Sequence, residues 1–226
     1  MTSSTPASRA SPSRRSATRP PLTWWLVALL AVPIVGYAMA YVVIGAPMYP
    51  PNFVTSFSAR PWGIYPHALF GSLALGLGLL QFNRWLLLRH RAVHRALGTA
   101  YVVSAALVGL AGLYMSFYSF GGVITHLGFG ALAVLLLWTT ARAYLAARAR
   151  AIAEHRRWML ASYALIFAAV MLRIELPLLT MAFGDFTPAY QVVAWSCWVP
   201  NLLWAVWYAR RTAGAPLPAV ERLRVI

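Results

Sequence analysis

Charged residues are scarce in this chain, and lysine is absent. Only 10% of the 226 residues are charged, and four acidic side chains stand against 19 basic ones, all of them arginine. A soluble domain carries about 25% charged residues, so this chain has too few to cover a water-facing surface. Its single cysteine, Cys197, excludes an internal disulfide and a multi-cysteine metal site. These shortages argue against a soluble domain.

Long apolar runs are abundant in the chain. The chain is 61% hydrophobic, and runs longer than about 18 residues are typical of membrane-spanning helices. The pattern predicts an all-α membrane protein with a basic disordered tail (1–21) and a second tail (210–226). Spans two to five are expected to form a central four-helix bundle within a domain of six spans, at about 22–45, 63–83, 95–117, 123–144, 157–183 and 189–209.

The arginines are distributed on one side of these spans. They lie before span one, between spans two and three, between spans four and five, and after span six, whereas the opposite loops hold only Arg60. The positive-inside rule therefore places both termini in the cytoplasm, in a plasma (inner) membrane of bacterial type. Because the net charge of +15 is confined to short loops and tails, the expected partner is the lipid bilayer and not nucleic acid.

Four histidines stand near the ends of the central spans. On this topology His67 and His126 lie near the outer face, and His94 and His155 near the inner face. Small residues follow each of the first three histidines at helical spacing, namely Gly71, Ala74 and Gly78; Gly98 and Ala105; Gly130 and Ala133. Imidazole is a good axial ligand of haem iron, so each pair is a candidate bis-histidine site for haem b. Small-residue stripes also pack membrane helices without any cofactor, and an interfacial histidine can simply meet lipid headgroups.

Three further polar residues fall inside predicted spans. Arg173 and Glu175 lie in span five, and Gln81 lies on the face of span two that carries His67. Ionisable groups at such depth are costly and usually face a site. The partner of Arg173 could be a haem propionate, a quinol-like or carboxylate substrate, or Asp185. The alternative is that its side chain extends to the outer interface.

Several motifs resemble a known family. The runs PHALFGSLALGLGLLQ, RHRAVHRALGTAY and EHRRWML, with Arg173 downstream, are similar to the prokaryotic domain of unknown function 2306 family. That resemblance implies a multi-pass membrane protein with no assigned activity. The histidine layout more loosely resembles the ascorbate-reducible di-haem cytochromes b, which would pair His67 with His126 and His94 with His155.

These observations lead to one hypothesis and two alternatives. The leading hypothesis is a haem-b electron-transfer protein, a component of a transmembrane oxidoreductase with quinol or another redox partner, in which Arg173 compensates propionate charge. The first alternative is a haem-free transporter or proton relay lined by His67, His126, Arg173 and Glu175. The second is a structural or assembly membrane protein. The sequence leaves the electron donor, any transported substrate and the oligomeric state open.

Overall fold

The described part of the protein, residues 20–212 of a computed structural model, is entirely helical. Ten α-helices and two short 3₁₀ turns are found there, without any strand. Most of the two predicted tails lies outside these residues. In chain order the helices are α1 (Leu22–Val43), α2 (Val54–Ser58), α3 (Pro61–Gln81), α4 (Arg84–Arg89), α5 (Arg91–Ser116), α6 (Val123–Arg148), α7 (Ile152–Ile166), α8 (Ala168–Phe183), α9 (Phe186–Ser196) and α10 (Val199–Thr212).

Five helical segments are long and apolar enough to cross a membrane. They are α1, α3, α5, α6 and the combined α7–α8 segment, Ile152–Phe183. The expectation of an α-helical membrane protein is thereby confirmed, and the helix ends fall within about five residues of the predicted spans. The number of six spans and the cytoplasmic position of both termini stay predictions.

The sixth predicted span, 189–209, is divided into two helices. α9 ends at Ser196 and α10 begins at Val199, with a turn at Cys197 and Trp198 between them. Pro200 has no N–H to donate to the Ser196 carbonyl, which explains why the helix is interrupted here. Each half is too short to cross a membrane alone.

The fifth segment changes its neighbours at Phe167, where α7 ends and α8 begins. α7 packs against α6, α10 and α3, whereas α8 packs chiefly against α9 and α1. Helices α3, α5, α6 and α7 contact one another in a ring, α3 with α5, α5 with α6, α6 with α7 and α7 with α3. The segment therefore belongs to this ring in one half of the molecule and leaves it in the other.

Two ends of the molecule can be distinguished by charge. At the arginine-rich end lie the starts of α5 and α7, the end of α6, and Arg210 and Arg211 in the last turn of α10. At the arginine-poor end, the segment between α1 and α3 folds over the helices, with Phe53 near Phe186 and Tyr190 at ring-centroid distances of 5.7 and 5.3 Å. This predicted loop thus forms an aromatic cover and includes the short helix α2.

The centre of the ring is filled by tyrosines. Tyr101 is fully buried, and its hydroxyl lies 2.7 Å from the Ser162 hydroxyl, which is itself 2.7 Å from Thr140 Oγ1. Gly78 makes room for this packing, because a Cβ at that position would lie 2.4 Å from the Tyr163 ring and 2.8 Å from the Tyr101 ring. We call Tyr101, Ser162 and Thr140 the central hydroxyl network.

Candidate functional site

Arg173 lies on α8 among apolar side chains, and no carboxylate within residues 20–212 forms an ion pair with it. Its Nη1 donates to the Ala169 carbonyl at 2.8 Å, and its guanidinium carbon lies 5.3 Å from the centre of the Tyr37 ring. Its Nε is buried and has no hydrogen-bond partner within residues 20–212. Pro177, four residues further on, has no N–H for the Arg173 carbonyl. The helix around Arg173 is therefore short of hydrogen bonds on both the side chain and the main chain.

Two tyrosines and a histidine lie near this guanidinium. Tyr37 and Tyr41 of α1 share a hydrogen bond of 2.8 Å between their hydroxyls, and Tyr41 is buried. Arg173 is close enough to His67 and Tyr41 to interact with both electrostatically. The His67 ring lies beside Gly112 of α5 and near the Val108 carbonyl. We call Arg173, Tyr37, Tyr41 and His67 the Arg173 site.

The acidic residues nearby have other partners. Ser196 Oγ donates to Glu175 Oε2 at 2.5 Å, and Asp185 accepts from the backbone N–H of Thr187 at the start of α9. Within residues 20–212, one ion pair is found, and it joins Arg142 to Glu154 at the other end of the molecule. Asp185, one of the partners considered for Arg173, is thus used as a helix cap.

The two predicted histidine pairs differ in their surroundings. His94 and His155 are close enough to interact electrostatically, and His155 Nδ1 donates to the Ala143 carbonyl at 2.9 Å, which leaves its Nε2 available. In the other pair, His126 Nε2 donates to the Ser119 carbonyl at 3.0 Å, while His67 lies by Gly112 and Arg173. Since a carbonyl only accepts, this Nε2 carries a proton and is not poised to bind iron.

A polar cluster also lies at the arginine-rich end, between α3 and α5. The Gln81 side-chain oxygen is 3.1 Å from where a Cβ of Gly98 would be, one turn along α5 from His94. Gln81 Nε2 and His94 Nδ1 are both buried without a hydrogen-bond partner among the described residues. Buried polar atoms are usually paired with protein or ordered water, so each of these two atoms has an unused hydrogen-bonding capacity.

Space for a haem was predicted above the small residues, and protein side chains fill it. A Cβ added at Gly71 would lie 3.4 Å from Val108, and one added at Gly130 would lie 3.4 Å from Ser116. Gly78 faces the rings of Tyr163 and Tyr101. No cluster of three or more His, Cys, Asp or Glu side chains that could hold a metal ion occurs in residues 20–212, although a bis-histidine haem would not need one. The small-residue faces therefore give haem no support, and its binding stays a prediction.

Sequence reasoning missed the tyrosines of the Arg173 site. Tyr37 and Tyr41 lie four residues apart on α1, a helix that had been placed outside the predicted central bundle. Their spacing puts both on one face of the helix, and a pair of hydroxyls on one face of an apolar span is a signal that sequence analysis could have used. The hydrogen bond between Tyr101 and Ser162 was not predicted either.

Comparison with known proteins identifies the family of the chain. A family described as predicted membrane proteins, domain of unknown function 2306, matches residues 64–208, well over half of the chain. No match is found among curated proteins or among solved structures, so nothing there supports the looser resemblance to cytochromes b. The chain therefore belongs to the domain of unknown function 2306 family of predicted membrane proteins.

Proposed function

We propose that this protein is a haem-free membrane carrier that binds a small carboxylate at the Arg173 site. The observation that carries this proposal is the guanidinium of Arg173, which lies in an apolar helix. Among the residues that the structure describes it has no carboxylate partner, and its Nε is buried and unpaired. An uncompensated charge in a membrane span is expensive. Its retention is explained if an anionic ligand supplies the missing charge during the working cycle.

The free edge of the guanidinium fits a carboxylate. Nη1 is already engaged by the Ala169 carbonyl, so the edge that bears Nε is the part left for a ligand. Arginine binds carboxylates through parallel N–H···O bonds, and these charge-assisted bonds are stronger than neutral ones. Tyr37 provides an aromatic face beside the guanidinium. The site therefore suits an anion with a planar or apolar body better than a fully hydrated inorganic ion.

Binding of benzoate and octanoate to the purified full-length chain in lipid nanodiscs tests the proposal. We expect saturable binding that falls at least about tenfold in Arg173→Gln, because loss of a charge-assisted bidentate contact costs about 1.5–3 kcal/mol. Arg60→Gln is the matched control, since Arg60 also lies over a tyrosine ring, that of Tyr118, at 4.0 Å. Equal binding by wild type and Arg173→Gln would refute the site.

Transport is distinguished from binding in proteoliposomes. Uptake of radiolabelled benzoate should be saturable with the wild-type chain and should fall to the level of empty liposomes with Arg173→Gln. Saturable binding without uptake would leave a ligand-binding membrane protein instead of a carrier. The family assignment favours neither a carrier nor a ligand-binding protein.

Haem-b electron transfer is the second candidate function. Its support is the proximity of His94 and His155 together with the Nδ1 bond of His155, since ligating histidines usually donate their other ring nitrogen to a carbonyl or carboxylate. When bound, haem would supply one-electron chemistry. A reduced-minus-oxidised absorbance spectrum of protein expressed with ample haem tests this function. A b-type signal that is lost in His94→Ala would establish haem binding, and a flat spectrum would exclude it.

The orientation of the chain forms part of the proposal. With the arginine-rich end in the cytoplasm, the Arg173 site lies nearer the outer face of a bacterial inner membrane. Reporter fusions after Thr212 and within the loop between α5 and α6 test this topology, and only the first fusion should report a cytoplasmic position.

A further inference from the structure

The corner between α6 and α7 concentrates positive charge. Between residues 142 and 157 the sequence has five arginines, Arg142, Arg148, Arg150, Arg156 and Arg157, and a single acidic residue, Glu154. The connection is short because α6 ends at Arg148 and α7 begins at Ile152, with Arg150 in the left-handed region at φ 57°. Such a tight corner keeps the arginines together at one rim of the helices.

The one carboxylate of this corner is already engaged. Glu154 Oε1 forms an ion pair with Arg142 Nη2 at 2.9 Å and accepts a hydrogen bond from Trp158 Nε1 at 3.1 Å. The charge of Glu154 is therefore balanced by Arg142, and the corner keeps a net positive charge. A partner that fits this surface by charge is an anion.

Beside this ion pair is a pocket of mixed character. Its volume is about 400 Å³, and it is lined by Ala151, Ile152, Ala153, Glu154, Arg157 and Trp158. Arg157 is exposed and provides the basic group of the lining. A phosphate group accepts several hydrogen bonds from arginine, while the alanine and isoleucine side chains would contact the less polar atoms that join a phosphate to its chains.

An aromatic surface continues from the pocket along the helices. Trp158 lies against Trp138 with ring centroids 4.8 Å apart and an interplanar angle of 76°, and Trp138 is 51% exposed. Tryptophan is enriched at the boundary between headgroups and acyl chains. A basic pocket followed by exposed tryptophan therefore matches the order of groups in a phospholipid, headgroup first and chain second.

We propose that the α6–α7 corner binds one anionic phospholipid, with its phosphate at Arg157 and an acyl chain against Trp138. Clusters of arginine next to the end of a membrane helix are known to bind anionic headgroups. The proposal is independent of the Arg173 site, so either one can fail while the other stands.

Native mass spectrometry of the full-length chain with phosphatidylglycerol and phosphatidylcholine of equal chain length tests this inference. We expect phosphatidylglycerol to be retained at least about fivefold better, because the headgroup carries the complementary charge. Arg157→Gln should abolish this preference. Arg211→Gln is the matched control, since Arg211 lies 4.5 Å from the Trp207 ring at the same end of the molecule, and it should leave the preference intact.

A second variant separates a lipid from a free phosphate. Trp138→Ala should reduce retention of long-chain phosphatidylglycerol and leave that of its dihexanoyl form unchanged. Each variant is first checked for an unchanged thermal transition. Equal retention of both headgroups, an equal loss in Arg211→Gln, or displacement of the lipid by millimolar inorganic phosphate would each overturn the proposal.

Discussion

The central hydroxyl network and the Arg173 site are both polar groups inside apolar helices, but they differ in how their atoms are satisfied. In the network, Tyr101, Ser162 and Thr140 are buried and linked by two contacts of 2.7 Å. In the Arg173 site the hydroxyls of Tyr37 and Tyr41 pair with each other, while Arg173 Nε has no partner among the described residues.

This difference leads to different expectations for the two regions, stability for the network and ligand binding for the Arg173 site. A satisfied network in a tightly packed centre holds helices together, and its members should be needed for stability. An unpaired charge at a partly accessible position contributes little to stability and is expected to act on a ligand. Substitutions in the two regions should therefore have opposite effects on stability and binding.

The largest effect on stability is expected from Gly78→Ala. The added Cβ would lie 2.4 Å from the Tyr163 ring, and overpacking of this kind costs about 1–3 kcal/mol. Gly76→Ala is the control on the same helix, because its Cβ would meet only Val35, at 3.9 Å. Thermal unfolding in detergent, followed by circular dichroism, should show a clear loss for Gly78→Ala and none for Gly76→Ala. Equal transitions would mean that the tyrosines adjust freely.

A smaller loss is expected from Ser162→Ala. This change removes the shared partner of Tyr101 and Thr140, and hydrogen bonds between membrane helices contribute about 0.6–1.7 kcal/mol. The same unfolding measurement on Ser104→Ala is the control. Ser104, on α5, is buried like Ser162 but is not a member of the network. If both variants lose the same stability, the network has no special role.

The smallest effect on stability is expected from Arg173→Met. The substitution removes a costly intramembrane charge together with its bond to Ala169, so the net change should stay within about 1 kcal/mol and can be stabilising. Benzoate binding should be lost at the same time. A destabilisation as large as that of Gly78→Ala would show that Arg173 is a structural residue, and the contrast between the two regions would disappear.

The sequence predicted the fold better than the packing inside it. Helix positions follow from apolar runs whose length is set by the bilayer, and the family assignment confirms a membrane protein. The break between α9 and α10 could be predicted from Pro200, which lacks a backbone N–H. The break at Phe167 had none, since neither glycine nor proline lies next to it in the sequence.

The candidate site was predicted only in part. Arg173 was identified because an arginine in an apolar span is rare, but Tyr37 and Tyr41 come from a helix whose neighbours cannot be read from periodicity. The small-residue faces predicted gaps for a cofactor. A glycine such as Gly78 equally well receives a large side chain from the adjacent helix, and composition does not distinguish these outcomes.

The length of the fifth segment relates the Arg173 site to membrane thickness. Ile152–Phe183 has 32 residues, and its first turns carry Glu154, Arg156 and Arg157. The remaining 26 residues, 158–183, are about 39 Å long at about 1.5 Å per residue, against a hydrocarbon core of about 30 Å. Such hydrophobic mismatch is relieved by tilting, bending or exposing an end. The break at Phe167 allows bending just before the helix that carries Arg173. Lipid chain length is therefore expected to act on the same helical segment as the proposed ligand.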